Sequence, residues 1–110
     1  MNSILGLLTM CRKAGKLNMG MDMMKAACAG KTACGVYCAT DISAKSLKEV
    51  RFVCGKDKVK LYSLGVSMDE IWADLGKRTG ILAVCDAGFN KKAASMCEEI
   101  SINADENGEQ

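Results

Sequence analysis

Apolar residues recur at helical spacing in five segments of this 110-residue chain, and polar residues fill the positions between them. In the first segment the recurring positions are Ile4, Leu7, Leu8 and Cys11. We predict helices over residues 3–15, 21–29, 43–54, 67–76 and 90–100, with Asp41 or Ser43 starting the third. Ser67 and Glu70 have the spacing of a capping box, in which each side chain accepts from a backbone N–H of the other residue.

Three short segments have the pattern of strands instead. Residues 34–39 and 81–85 are continuous apolar runs, as expected for strands covered on both faces, and residues 59–64 alternate apolar and polar positions. Residues 16–18 look like a short extended link between the first two helices. Because helices and strands alternate, we predict an α/β fold: a single-domain, three-layer α/β/α sandwich with a small central mixed sheet.

Charge divides the chain into a basic body and an acidic end. Residues 1–102 hold all 15 Lys and Arg residues against 10 acidic residues, which gives a net charge of +5. Residues 103–110 hold three acidic residues and no basic ones. We predict a folded domain over residues 1–102 and a disordered acidic tail over 103–110. A mild basic excess is compatible with a nucleic-acid partner.

Seven cysteines and no histidine narrow the possible chemistry. The cysteine count is odd and no CxxC pair occurs, so we favour reduced, buried thiols in a cytoplasmic protein without a metal site. The alternative is a redox or metal pair formed by Cys34 and Cys38, which would share one face of the predicted strand.

No segment has the pattern of a signal peptide or a membrane span, so we expect no membrane association.

Recognisable catalytic patterns are absent from the sequence. Without histidine the common hydrolase triads are excluded, and neither GxGxxG nor GxxxxGK[ST] occurs. Asp41 and Asp86 each follow a predicted strand, where catalytic acids are often found, but such residues more often start a turn or cap a helix. We therefore expect no enzyme activity and no cofactor.

Two basic segments favour a polyanion instead. In the first, Arg12, Lys13 and Lys16 come before Gly20, which opens the second helix. In the second, Lys77 and Arg78 stand between a helix and an apolar strand. An uncapped helix start offers backbone N–H groups to phosphate, and a glycine there permits close approach. Asp22 is a candidate acceptor from a guanine edge, and Lys25 a candidate phosphate contact.

Several phrases, in order, resemble the ribosomal L-seven-Ae/L-thirty-e family, with the bacterial YlxQ-like branch closest. They are Leu5-Gly6-Leu7, Arg12-Lys13-Ala14-Gly15-Lys16-Leu17, Gly20, Cys38-Ala39-Thr40-Asp41, Leu75-Gly76-Lys77 and Ile81-Leu82-Ala83-Val84-Cys85-Asp86-Ala87-Gly88-Phe89. The likeness covers roughly residues 3 to 97. It implies a three-layer α/β/α fold and binding to kinked RNA helices that contain sheared G·A pairs.

The resemblance also implies particular contact residues. Kink-turn readers of this family begin their second helix with Gly-x-Asn-Glu-x-x-Lys. Gly20 and Asp22 match the Gly and the Asn, whereas Met23 and Ala26 stand where Glu and Lys are expected. Lys25 lies one position before the expected lysine. These departures leave kink-turn specificity open.

A second family contact surface is the loop before the last apolar strand, which corresponds here to Arg78, Thr79 and Gly80. Leu47 matches a position where an apolar side chain packs on an extruded base. Phosphate contacts are expected from Lys16, Lys25, Lys77 and Arg78. We expect mostly core positions for the scattered aromatic residues, and therefore no main role for stacking on Tyr37, Phe52, Tyr62, Trp72 or Phe89.

Together these features predict a small, monomeric, cytoplasmic RNA-binding protein. Its RNA would be ribosomal or another structured RNA, and ribosomal proteins are possible further partners. The alternative is a protein–protein adaptor of a ribonucleoprotein assembly. It would use a flexible apolar set of methionines in and before the second helix, at Met19, Met21, Met23 and Met24.

Overall fold

Five helices and five strands alternate along residues 3–102, the part of the chain that the computed structural model describes. The helices are α1 (Ser3–Lys13), α2 (Met21–Ala29), α3 (Ala44–Asp57), α4 (Met68–Leu75) and α5 (Ala87–Ser95). The strands are β1 (Leu17–Met19), β2 (Gly35–Cys38), β3 (Leu61–Ser63), β4 (Ile81–Val84) and β5 (Glu98–Ile100). The predicted acidic tail, residues 103–110, lies outside the described residues.

The strands form one mixed sheet in the order β1-β4-β2-β3-β5. Only β2 and β3 are parallel neighbours, and the other three pairs are antiparallel. Every residue of β2 and β4 is buried, which agrees with their uninterrupted apolar sequences. The predicted single-domain α/β fold with a mixed sheet is confirmed.

Helices cover both faces of this sheet and give it two hydrophobic cores. One core joins α1, α4 and α5 through residues such as Leu8, Ile71 and Ala93. The other joins α2 and α3 through residues such as Met24 and Val50. The three layers follow from this arrangement, because each buried strand contributes alternate side chains to opposite cores.

Short polar residues begin the helices where the sequence places them. Ser67 accepts from the Glu70 N–H at 3.2 Å, and the Ser67 N–H donates to the Glu70 carboxylate at 2.9 Å, so the predicted capping box is confirmed. Asp41 accepts from the Met68 N–H at 2.9 Å, and Asp86 accepts from the Phe89 N–H at 2.8 Å. Asp86 therefore caps the helix that follows it, as expected. Asp41 does not start the third helix, because Ser43 caps α3 by accepting from the Ser46 N–H at 3.1 Å, and Asp41 instead binds the first turn of α4.

Two edge strands differ from the prediction. Residues 16–18 were expected to form a link, but Leu17–Met19 pairs with β4 as strand β1. The last helix was expected over residues 90–100, whereas α5 begins at Ala87, ends at Ser95, and is followed by β5 on the edge of β3. Three-residue edge strands are held by backbone hydrogen bonds to their neighbour, so their own side chains carry little periodic signal.

Candidate functional site

The sheet brings the two basic segments of the sequence together. Strands β1 and β4 are antiparallel neighbours, with Met19 opposite Leu82, so the end of β1 lies beside the start of β4. The Gly20 N–H donates to the carbonyl oxygen of Ile81 at 2.8 Å. The first turn of α2 and the loop of residues 76–80 are therefore adjacent, although more than 50 residues separate them in the chain.

Lys77 is the residue that joins these two segments. Its ammonium nitrogen Nζ donates to the carbonyl oxygen of Met19 at 3.2 Å, and it lies 3.7 Å from where a Cβ on Gly20 would be. Gly20 is the N-cap of α2, with φ of +107° and no side-chain cap hydrogen bond. We call this place, formed by Gly20, the first turn of α2 and Lys77, the Gly20–Lys77 corner.

The Gly20–Lys77 corner combines two features of anion sites, a helix start and a lysine, with the exposed carboxylate of Asp22 in the same helix turn. The first backbone N–H groups of a helix have no partner within the helix, and here no side chain caps them. They carry the partial positive charge of the helix dipole, to which Lys77 adds a full positive charge. The left-handed φ of Gly20 favours glycine, which also leaves the approach to these N–H groups open.

Two arginines lie on the α4 side of the corner. The Arg78 Nε donates to the Asp69 carboxylate at 3.0 Å, and both side chains are exposed. Arg12, in the last turn of α1, places its Nη1 atom 3.7 Å from where a Cβ on Gly76 would be. Arg12 was not among the predicted contact residues. Its position follows from the packing of α1 against α4, and its one sequence signal was the basic segment around it.

Thr79 and Gly80 shape the loop between α4 and β4. The Thr79 hydroxyl accepts from the Ile81 N–H at 3.3 Å, and the Gly80 carbonyl accepts from the Ala39 N–H at 2.9 Å. Gly80 is buried, and a Cβ there would overlap Cγ2 of Ile42. These two residues therefore hold the cationic loop against the sheet, and Gly80 offers little surface to a ligand.

Three other predicted contact residues lie away from the corner or point elsewhere. Lys16 precedes β1 and accepts at its carbonyl from the Cys85 N–H, which places it about 13 Å from Gly20 along the strand. Lys25 forms an ion pair with Glu49 of α3. Leu47, one turn into α3, is half-buried against the core between α2 and α3.

The exposed face of α2 carries the residues that differ from the family motif. Asp22, Met23 and Ala26 are all exposed, and their spacing of three and four residues places them on one side of the helix. The ion pair with Glu49 turns Lys25 toward α3, so it does not substitute for the expected lysine at position 26. Met19 and Met24 are buried and Met21 packs against the core, which leaves Met23 as the exposed member of the methionine set.

The aromatic residues are more exposed than predicted. Tyr37 and Tyr62 stack with their ring centres 5.0 Å apart, and Phe89 packs against the core. Trp72 and Phe52, however, are 57% and 69% exposed. The expectation of a core position was wrong for these two, because each directly neighbours a residue of the buried helix stripe, Ile71 and Val53 respectively. Because successive residues of a helix are about 100° apart around its axis, the neighbour of a buried residue can face solvent.

The thiols are free and mostly buried. Burial raises the pKa of Cys11, Cys28 and Cys38 from 9.0 to about 11, and that of Cys54 to about 12. Cys34 is exposed whereas Cys38 is buried, so the two cysteines of the alternative redox or metal pair do not share one environment. Within residues 3–102 no group of three cysteine or acidic side chains is arranged to hold a metal ion.

None of the described helices has the length and apolarity to cross a membrane.

Comparison with known proteins supports the fold. The chain is similar in structure to a solved protein of unknown function from Bacillus halodurans C, with a TM-score of 0.80 and 23% sequence identity. The likeness covers 87% of this chain and 97% of that protein. No family model matches the chain, and no curated protein matches it in sequence.

Proposed function

We propose that this protein is a non-catalytic, cytoplasmic RNA-binding protein of the ribosomal L-seven-Ae/L-thirty-e type that docks structured RNA, such as ribosomal RNA. The observation that carries the proposal is the placement of Lys77 beside the uncapped start of α2. An exposed cation beside the backbone N–H groups of a helix start and a half-buried glycine is suited to an RNA phosphate. The sequence resemblance supplies the class of RNA, which is a helix kinked by G·A pairs.

In this proposal the Gly20–Lys77 corner receives a phosphate and the exposed face of α2 lies against the RNA groove. Asp22 accepts a hydrogen bond from a guanine edge. Arg78 moves from Asp69 to a neighbouring phosphate, which costs little because an exposed ion pair contributes at most about 1 kcal/mol. Arg12 joins Lys77 and Arg78 as a third cation of this surface.

The contact set is therefore smaller than the sequence suggests. Lys16 lies at the far end of β1, and Lys25 points toward Glu49 of α3 and away from the Gly20–Lys77 corner, so neither is part of the proposed primary contact. Thr79 and Gly80 position Lys77 and Arg78 through the loop. Leu47 keeps its proposed role beside an extruded base, because part of its side chain is accessible next to the start of α3.

A binding titration tests the proposal. A fluorescein-labelled kink-turn RNA is compared with a control RNA whose G·A pairs are replaced by Watson–Crick pairs, each at two salt concentrations. We expect binding to both RNAs to weaken with salt and the kinked RNA to be preferred. Equal affinity for the two RNAs would contradict the recognition of kink-turns and would indicate a protein that binds RNA without this preference. Absence of binding to either RNA would overturn the proposal.

A further inference from the structure

Trp72 is an exposed aromatic side chain beside the proposed RNA surface. It is the single tryptophan of the chain, and 57% of it is accessible. Helix α4 buries Ile71 and Leu75 in the core, which leaves Trp72 on the border between the buried and the exposed side of the helix. None of the contacts assigned so far to RNA uses this side chain.

Two arginines contact helix positions on either side of Trp72 in the chain. Asp69 precedes Trp72 by three residues and Gly76 follows it by four, so both lie on the same edge of α4 as the indole. Asp69 accepts from Arg78, and Gly76 has the Arg12 Nη1 atom against it. The acidic residues Glu70 and Asp74 are each two positions from Trp72 and therefore point to another side of the helix.

This edge of α4 is continuous with the Gly20–Lys77 corner. Gly76 is directly followed by Lys77, whose ammonium group reaches the carbonyl of Met19 beside Gly20. Lys77 and Arg78 therefore lie between the corner and this end of α4 in the chain, and Arg12 reaches Gly76 at the same end. A chain of phosphates that leaves the corner toward α4 meets a cation on either side of the indole.

We propose that Trp72 stacks on an unpaired nucleobase of the RNA bound at the Gly20–Lys77 corner, while Arg12 and Arg78 bind the phosphates on either side of that base. The inference rests on the proposed function and adds a second contact to it. Charge complementarity favours a nucleotide over an apolar protein segment, since the cations Arg12, Lys77 and Arg78 outnumber the carboxylate of Asp69 along this edge of α4. Every base has a π-face, so stacking on the indole tolerates any base.

The experiment uses Trp72 as its own reporter, because its emission is the only tryptophan emission of the chain. Protein is titrated with a kink-turn RNA and with versions in which each unpaired nucleotide in turn is abasic, which removes the base and keeps the phosphate. Affinity is measured separately by anisotropy of the labelled RNA. We expect saturable quenching with the intact RNA, and loss of quenching with one particular abasic RNA.

Variants of Trp72 test whether the affinity depends on the indole and on the unpaired base together. Trp72→Ala should weaken binding of the intact RNA by roughly 5- to 100-fold, and Trp72→Phe should weaken it less. On the abasic RNA that abolishes quenching, wild type and Trp72→Ala should bind equally. Phe52→Ala is the matched control, since Phe52 is 69% exposed on α3, on the other face of the sheet, and its loss should leave affinity unchanged. Circular dichroism and thermal melting check that each variant is folded.

The two proposals fail in different ways. Binding of the intact RNA without quenching, together with wild-type affinity of Trp72→Ala, would overturn the stacking contact and leave the proposed function standing. An equal loss of affinity for every abasic RNA would also overturn it, because the effect would not depend on a base. If the wild-type protein bound none of these RNAs, both proposals would fall, and Trp72 with its two arginines would become a candidate protein interface.

Discussion

Lys77 donates a hydrogen bond from its ammonium group to the carbonyl oxygen of Met19, 58 residues earlier in the chain, across 3.2 Å. One bond from the three-donor ammonium group fixes the position of the lysine and leaves two donors for a ligand. The same contact holds the loop after α4 beside Gly20, where α2 begins. Lys77 is therefore held in place at the candidate site before any ligand arrives.

We expect Lys77→Ala and Arg78→Ala, made together, to weaken RNA binding and to lower its salt dependence. Each lost phosphate contact should reduce the slope of log K against log salt by about 1, since fewer counterions are released. The measurement is the dissociation constant at four or more salt concentrations. Lys60→Ala is the control, because Lys60 is an exposed lysine at the opposite end of the sheet, just before β3. A slope that stays the same in the double variant would contradict the placement of the phosphate at Lys77.

Introducing the two residues of the kink-turn readers' motif that this chain lacks should increase its preference for kink-turn RNA. Met23→Glu and Ala26→Lys place a carboxylate and a cation on the exposed face of α2, beside Asp22. Each regained base contact contributes roughly 1–3 kcal/mol, so we expect at least a tenfold gain for the kink-turn RNA over its Watson–Crick control. The double variant is compared with Lys25→Ala, which removes the partner of Glu49 and should change affinity little. An equal gain for both RNAs would mean that the new charge acts without reading the G·A pairs.

Gly80→Ala should destabilise the fold. The added Cβ would overlap Cγ2 of Ile42 and lie 3.2 Å from the sulfur of Met68, and overpacking of this kind typically costs about 1–3 kcal/mol. Gly6→Ala is the matched control, since no atom lies within 4 Å of its added Cβ and alanine in a helix should stabilise by about 0.5–1 kcal/mol. The free energy of unfolding in urea gives both values. A Gly80→Ala variant as stable as wild type would show that Ile42 moves aside freely.

Alkaline pH should destabilise the protein through its buried thiols. The pKa of Cys11 and Cys38 is about 11 in the folded state and that of Cys54 about 12, against 9.0 for an ordinary thiol, in each case mainly because burial disfavours the thiolate. Raised folded pKa values mean that this stabilisation is complete below pH 9 and is lost as the pH rises toward 11–12. We expect the free energy of unfolding to fall between pH 9 and 11.

Urea unfolding from pH 8 to pH 10.5 measures this decline. Cys54→Ala removes the thiol with the highest of these pKa values, so its stability should depend less on pH than that of wild type. Cys34→Ser is the control, because it removes an exposed thiol and leaves the buried thiols in place. A flat profile in wild type would contradict the effect of burial on these thiols.

Local sequence signals were sufficient to predict where most of the helices begin and end. The capping box of Ser67 and Glu70, the stop of α4 at Gly76 and the span of α2 from Met21 to Ala29 all appear as predicted. These features depend on residues within one turn of each other, so the sequence contains all the interacting groups. The start of α5 was predicted three residues late. Asp86 was expected either to start a turn or to cap a helix, and the structure shows that it caps α5.

Edge strands and side-chain directions were harder to predict. Strands β1 and β5 are defined by pairing with β4 and β3. Their own short sequences do not show the apolar pattern that would predict a strand. The direction of Lys25 depends on Glu49, and that of Arg12 depends on the end of α4. A charged side chain on a helix can face solvent, a neighbouring helix or a ligand, and only the neighbours decide which.

The sequence by itself determined the α/β class, the helix caps and the two basic segments, because periodicity and capping act over a few residues. The tertiary structure alone decided that Lys77 lies beside Gly20, that Arg12 lies beside Gly76, and that Lys16 and Lys25 lie apart from them. Antiparallel pairing of β1 with β4 and packing of α1 on α4 create these contacts between residues far apart in the chain. Their geometry depends on register and packing, which local patterns do not encode.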